Sequence, residues 1–247
     1  MEAYTTLARY YDQLTGDVHY GKWADYLQRH FHRHKGEIRS VAELACGTGS
    51  LAKLLAQRGY QVTAVDRSAD MLCQADQKCQ GLDVLFLCQD LSQLRLLQPV
   101  DAAVCCLDSL NYITRPAQLR QALRRVHQAL KPGGLFLFDV KTPEALEGAD
   151  GQIYLDETNE VYCVWRGEYF PRLRICGYGI DLFVRQSDGT WQRTGEYHQE
   201  YAYTMQELES WLEEAGFTRI KQYGNLRMTP PRRGEERVFF TAERKGL

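Results

Sequence analysis

From residue 39 to residue 139, short apolar runs alternate with amphipathic stretches. Arg39 to Leu44, Gln61 to Val65, Asp83 to Leu87, Ala102 to Cys106 and Leu135 to Phe138 are each short and bounded by polar or glycine turns. Such runs predict strands. Ala102 to Cys106 is apolar throughout, which predicts a central strand. Between the runs the apolar period lengthens to that of a helix. Ser50 to Arg58 carries Leu51, Leu54 and Leu55 inward, with Gly59 as its stop. Ser68 caps a stretch with Leu72, Ala75 and Cys79 on one face, and Pro116 starts one with Leu119, Leu123, Val126 and Leu130. Lys131-Pro132-Gly133-Gly134 predicts a turn ahead of the fifth strand, which ends at Asp139. Gly21 to His34 predicts a further helix in front of the first strand.

The period changes after about residue 148. Gln152 to Tyr203 has aromatic and β-branched runs such as Val161 to Trp165 and Ile180 to Val184, with a hairpin turn at Ser187-Asp188-Gly189. Helical grammar then returns: Thr204 and Glu207 form a capping box, Leu208, Trp211, Leu212 and Ala215 share a face, and Gly216 ends it. Thr218 to Tyr223 and Arg237 to Glu243 predict two last strands, too close in sequence for a crossover and therefore antiparallel. The expected fold is α/β: a Rossmann-like, doubly wound, seven-stranded and mostly parallel sheet with an antiparallel last strand. A small antiparallel β insertion joins it as a lid. The division expected is 1–147 for the N-terminal helical segment and the core, 148–203 for the insertion, and 204–247 for completion of the core.

Composition narrows the setting. The 247 residues are 44 % apolar and 25 % charged, with net charge −2 and pI near 6.3. That balance supplies no general attraction to nucleic acid or anionic membrane. No run reaches the ~18 apolar residues of a membrane span, and the polar start Met1-Glu2-Ala3-Tyr4 does not read as a signal peptide. Eight cysteines without a C-x-x-C pair read as reduced thiols, so a cytoplasmic protein is expected. Cys105 and Cys106 should face opposite sides of their strand. His30, His32 and His34 have helical spacing for a metal but no nearby carboxylate or cysteine to complete a shell, and are read as a helix end. No metal is expected.

The chemistry gathers at Ser40 to Ala52, S-V-A-E-L-A-C-G-T-G-S-L-A, where a strand runs through Glu43 into a glycine turn and then a helix. Such a turn leaves backbone N–H groups pointing outward, ready for a ligand. Two ligand classes use it. Gly47-Thr48-Gly49-Ser50-Leu51-Ala52 satisfies a dinucleotide fingerprint with Asp66 placed for a ribose, and any other bound ribose would want that acid too.

The surroundings resemble another family. E-L-A-C-G-T-G-S, V-D-R-S-A-D-M-L at Val65 to Leu72, C-Q-D-L at Cys88 to Leu91, D-A-A-V-C-C-L-D-S-L-N-Y at Asp101 to Tyr112 and L-K-P-G-G-L-F-L-F-D at Leu130 to Asp139 occur in order. Together they resemble the class I S-adenosylmethionine-dependent methyltransferases. The resemblance implies S-adenosylmethionine as cofactor, with the backbone of Ala45, Cys46, Gly47, Thr48 and Gly49 at its methionine end and Glu43 on the ammonium. Asp66 would take the ribose hydroxyls, Arg67 and Met71 would flank the adenine, and Asp90 would accept from its amino group beside Gln89 and Leu91. Leu107 and Asp108 would sit by the sulfonium. The N-terminal segment and the insertion are similar to those of sugar N,N-dimethyltransferases and glycine N-methyltransferases, in which the tyrosine matched by Tyr11 in Tyr10-Tyr11-Asp12 reaches the cofactor.

Because the sulfonium already activates the methyl group, the protein needs alignment more than a compact catalytic motif. Arg193-x-x-Glu196-x-His198 resembles a strand of the sugar enzymes, and alternation puts Glu196 and His198 on one face. His198 is the candidate base, with Tyr11 and Asn111 as further catalytic candidates and Tyr112 as a substrate contact or packing residue. Trp165, Tyr169, Trp191 and Tyr201 form either an aromatic wall or a small sheet core. The expected activity is methyl transfer to a nitrogen or oxygen of a small molecule, by a monomer or homodimer. The alternatives are an RNA base methyltransferase, a non-catalytic binder on the same fold, and a dinucleotide-dependent oxidoreductase. An RNA enzyme would need Arg120, Arg124, Arg125, Arg166, Arg172, Arg174, Arg232 and Arg233 to form one basic surface.

Overall fold

The computed structural model describes residues 7–246; Tyr4 and the polar start lie outside the described residues. Two helices lead, α1 (Tyr11–Leu14) and α2 (Tyr20–Arg33). The α/β series follows as β1 (Ser40–Leu44), α3 (Ser50–Gln57), β2 (Gln61–Asp66), α4 (Ala69–Lys78), β3 (Val84–Cys88), β4 (Val100–Cys105), α5 (Pro116–Ala129) and β5 (Leu130–Lys141). A short α6 (Pro143–Gly148) leads into β6 (Ile153–Glu157), β7 (Val161–Phe170), β8 (Ile175–Arg185) and β9 (Trp191–Tyr201). The chain closes with α7 (Met205–Glu214), β10 (Phe217–Gly224) and β11 (Arg237–Arg244).

Seven strands form one sheet in the order β3-β2-β1-β4-β5-β11-β10. The first five are parallel, and β11 runs antiparallel to both β5 and β10. β4, apolar from Ala102 onward, occupies the middle position, where both faces are covered. Strand order reverses between β1 and β4, which opens a crevice at their C-terminal ends. On one face, Leu119, Leu123 and Val126 of α5 pack with Leu208 and Leu212 of α7; on the other, Trp23 and Leu27 of α2 pack with Leu51 and Leu55 of α3. Cys105 joins the first cluster and Cys106 the second, as alternation requires.

The fifth strand differs from its prediction. It begins at Leu130, so the Lys-Pro-Gly-Gly stretch lies inside it as an irregularity and does not precede it. Val100 pairs with Leu130 and Ala102 with Leu135, so the extra residues are absorbed on the β5 side. Gly133 takes φ +79°, and a Cβ on Gly134 would lie 2.8 Å from the Lys131 carbonyl. Glycine permits that bulge.

Strands β6 to β9 form a separate four-stranded antiparallel sheet. Its inner face buries Val161, Cys163, Cys176, Ile180 and Leu182 against Leu7 and Leu14 of the N-terminal segment. The capping box forms on α7: the Thr204 hydroxyl accepts from the Glu207 N–H and Glu207 accepts from the Thr204 N–H. His30 is buried edge-on between Tyr26 and Tyr223 while His32 is exposed, so the three histidines do not share a face. Among the described residues no helix is long and apolar enough to cross a membrane.

Candidate active site

The C-terminal ends of β1 to β4 open on one cavity. The glycine turn after β1 contributes Glu43, Ala45, Cys46, Gly47 and Thr48 to its wall; the β2 end contributes Asp66 and Arg67, backed by Met71 from α4. Gln89, Asp90 and Leu91 follow from β3, Leu107 from β4, and Tyr11 from the N-terminal segment. Most of the residues expected at the cofactor thus share one space.

Gly49 does not reach it. At φ +73° it precedes α3, and a Cβ there would stand 2.9 Å from the Ala75 Cβ, so this glycine is needed for the close approach of α3 to α4. Asp108 also turns away from the wall. It pairs with Arg237 at 2.7 Å and Lys141 at 3.0 Å. Burial works against its charge, but Lys141 and Arg237 outweigh that and hold it well below the usual carboxylate range.

The polar wall is tightly organised. Asp66 accepts the Gly47 N–H at 2.8 Å and the Ser68 N–H at 2.9 Å, which fixes the glycine turn to the end of β2. Burial raises its pKa against those two bonds. Glu43 is buried, and its Oε2 has no hydrogen-bond partner among the described residues. Burial first, then the nearby Asp66 charge, pushes its carboxyl up to about 8 against the pull of Lys78.

A strap from the N-terminal segment crosses this turn. Asp12 accepts from the Thr48 hydroxyl at 2.6 Å and from Lys78 at 2.7 Å, and Lys78 also donates to Ser50 at 2.6 Å. The next residue back, Tyr11, therefore lies over the cavity, with Tyr20 beside it. Further back, the Leu7 N–H donates to Glu196 of β9 at 2.9 Å.

The remaining catalytic candidates do not line the cavity. Asn111 is fully buried and spends its amide on backbone: it donates to the Lys141 and Tyr201 carbonyls and accepts from the Lys141 N–H. That joins the loop after β4 to the ends of β5 and β9. His198 and Glu196 do share the inner face of β9, bonded at 3.0 Å and buried. The His198 ring lies edge-on to Trp165 and to Tyr112, and Tyr112 is the one on the cavity wall. Of the aromatic candidates, Tyr201 lies tilted against Tyr203 and Trp165 edge-on to His198, while Trp191 is exposed. Sequence reasoning missed Tyr20, Leu51, Ser68, Cys106, Ser109 and Ile113 on the wall. Ser68 and Cys106 adjoin named motif residues and were within reach; nothing near Tyr20 signals its place.

A family model described as a methyltransferase domain matches residues 41–134. A Geobacillus sp. (strain WCH70) protein named as a putative methyltransferase is 30 % identical over 245 residues, covering 98 % of this chain and 99 % of its own. The chain belongs to the S-adenosylmethionine-dependent methyltransferases. An S-adenosylmethionine-dependent methyltransferase from Clostridium acetobutylicum ATCC 824, solved by crystallography, is 29 % identical with a TM-score of 0.87, covering 99 % of this chain and 100 % of its own. The fold extends to CalS10 from Micromonospora echinaspora, an amino pentose methyltransferase solved with the cofactor bound: TM-score 0.78 at 19 % identity, covering 99 % of each chain.

The residues of this methyltransferase suit its cofactor. An orphaned buried carboxylate oxygen on Glu43 calls for a cationic N–H donor, and the α-ammonium of S-adenosylmethionine is one. Asp66 keeps acceptor capacity beyond its backbone bonds for a ribose diol. Met71 offers a soft apolar surface for a purine.

Proposed function

We propose that this methyltransferase acts on a small molecule, transferring methyl to a nucleophilic nitrogen or oxygen. The observation that carries the proposal is the roof over the cavity. Tyr11 and Tyr20 cover it, the Asp12–Lys78 pair straps that segment to the glycine turn, and Leu7 ties it to the insertion. A roof of this kind suits a compact acceptor better than a base presented on a polynucleotide. The arginines also support this choice. Arg120 pairs with Glu214, Arg166 with Asp181 and Arg174 with Glu207, so the charge of these three is already matched by carboxylates. The neighbour of the same fold is, by its name, an amino pentose methyltransferase.

When bound, the cofactor supplies a methyl group activated by its sulfonium. Glu43 and Asp66 would hold its ammonium and ribose, Arg67 and Met71 its adenine, and Asp90 the adenine amino group. Tyr11 and Tyr112 would face the acceptor and keep water out. In this reading residues 148–203 act as the lid over a core made of 1–147 and 204–247. His198 acts through Tyr112 and its bond to Glu196 instead of touching the acceptor.

The test is titration calorimetry with S-adenosylmethionine and NADH, followed by transfer of labelled methyl into a metabolite extract and into bulk tRNA. S-adenosylmethionine binds, NADH does not, and label enters the small-molecule fraction. Asp66→Ala weakens cofactor binding roughly 100-fold, as loss of a charged hydrogen-bonding group does. Label in tRNA alone would overturn the choice of acceptor.

A further inference from the structure

The loop after β4 forms the far end of the cavity through Leu107, Ser109 and Tyr112. It begins with two consecutive non-glycine residues in the left-handed region, Leu107 at φ 60° and Asp108 at φ 52°. Side chains disfavour that conformation, and the surrounding structure must hold it. One residue does so. Asp139, fully buried at the end of β5, accepts the Leu107 N–H on one oxygen at 2.7 Å and the Asp108 N–H on the other at 2.9 Å. Arg237, at the start of β11, pairs with Asp139 and with Asp108 at once. A neutral amide in place of this carboxylate could accept only one of the two N–H groups.

We infer that Asp139, clamped by Arg237, is a positioning residue for methyl transfer: it fixes the Leu107–Asp108 turn that presents Leu107 to the cavity. The inference rests on the reading that this end of the cavity receives the sulfonium. Neither residue touches the cavity, so the effect passes through the backbone of the turn.

Asp139→Asn and the milder Arg237→Lys test it, with S-adenosylmethionine, S-adenosylhomocysteine and adenosine as probes. Affinity is read by calorimetry and amide protection by hydrogen exchange. In Asp139→Asn the Leu107 and Asp108 amides exchange at least about tenfold faster while Val104 in β4 stays protected. Both sulfur-bearing ligands bind about tenfold more weakly, and adenosine, held at the Asp66 end, changes less than about twofold. Arg237→Lys shows the same pattern at smaller size, which keeps the test open should Asp139→Asn fail to fold. Unchanged exchange at both amides overturns the inference. So does an equal loss for adenosine, since a general loss of structure would weaken all three ligands alike. Leu107→Ala separates the two levels. If it leaves the affinity for S-adenosylmethionine relative to adenosine untouched, the sulfonium lies elsewhere, whatever Asp139 does to the amides.

Discussion

Glu43 and Gly49 stand six residues apart and fail in opposite ways when changed. The folded pKa of Glu43, about 8, lies above its ordinary 4.5, so burial of its charge costs stability. Its contribution is full below pH 4.5 and is lost as pH rises toward 8, by up to about 5 kcal/mol at about 1.4 kcal/mol per unit. A cationic ligand at the Glu43 carboxylate reverses that preference. Binding of S-adenosylmethionine near pH 7 should therefore release close to one proton. Calorimetry in buffers of different ionisation enthalpy measures it, and Glu43→Gln should abolish the release while flattening the loss of unliganded stability above pH 6. Equal proton release in the variant would remove Glu43 from the ammonium. Gly49 matters for shape. Gly49→Ala meets both a positive φ and a 2.9 Å contact with the Ala75 Cβ, and should cost about 2 kcal/mol. Ala75→Gly relieves the contact and leaves the φ strain, so a double-mutant cycle on thermal melts should give a coupling of about 1 kcal/mol. Zero coupling would mean that the φ strain accounts for the whole cost.

Among the elements, α1 is the least autonomous. Its four residues make one turn, too short to persist alone. It is kept in place by Leu14 in the insertion core and by Asp12 on Lys78, an ion pair whose acid is half exposed. Because Tyr11 covers the cavity, this pair should govern how fast the cofactor leaves. Asp12→Asn should speed release about two- to fivefold, the usual worth of a partly exposed pair, and added salt should do the same to the wild type alone. Stopped-flow rates that ignore both changes would discard the strap. Tyr11 at the cavity follows the Tyr10-Tyr11-Asp12 resemblance; the Asp12–Lys78 pair was not legible beforehand, although much of the fold was. Strands β1 to β4 could be read because each is a short apolar run between polar turns, and α3 to α5 because an apolar stripe repeats at 3.6 residues. The wall residues at the ends of β1, β2 and β3 followed from those strands, since a parallel sheet sets its C-terminal ends side by side. The start of β5 was missed because Lys-Pro-Gly-Gly carries turn chemistry that the sheet absorbs as a bulge. Asn111 and Asp108 looked like site residues from their place after β4. Their side chains instead meet partners 30 to 129 positions away, which local patterning cannot reveal.

The whole molecule is joined where those partners meet. Lys141, at the end of β5 in the core sheet, donates to Glu200 of β9 at 3.0 and 3.1 Å and pairs with Asp108 at 3.0 Å. One ammonium thus links the insertion to the loop at the end of the cavity. Asp108 has a second cation in Arg237, whereas Lys141 is the only cation paired with Glu200 among the described residues. Burial, opposed by Lys141, raises the Glu200 carboxyl to about 7, above its ordinary 4.5. Its contribution to stability is therefore full below pH 4.5 and is lost as pH rises through 7. The two halves of the pair should then respond unequally to substitution. Lys141→Met strands a buried carboxylate and should cost about 3–5 kcal/mol at pH 8, where that group must otherwise ionise. At pH 5 a proton on Glu200 replaces the lost cation, and the cost should fall by half or more. Glu200→Gln leaves Lys141 its pair with Asp108 and removes a charge that burial already opposes, so its cost at pH 8 should stay near 1 kcal/mol. Urea unfolding of both variants at the two pH values decides the matter. Equal losses at pH 8, or a Lys141→Met loss that ignores pH, would show that packing and not charge joins the insertion to the core.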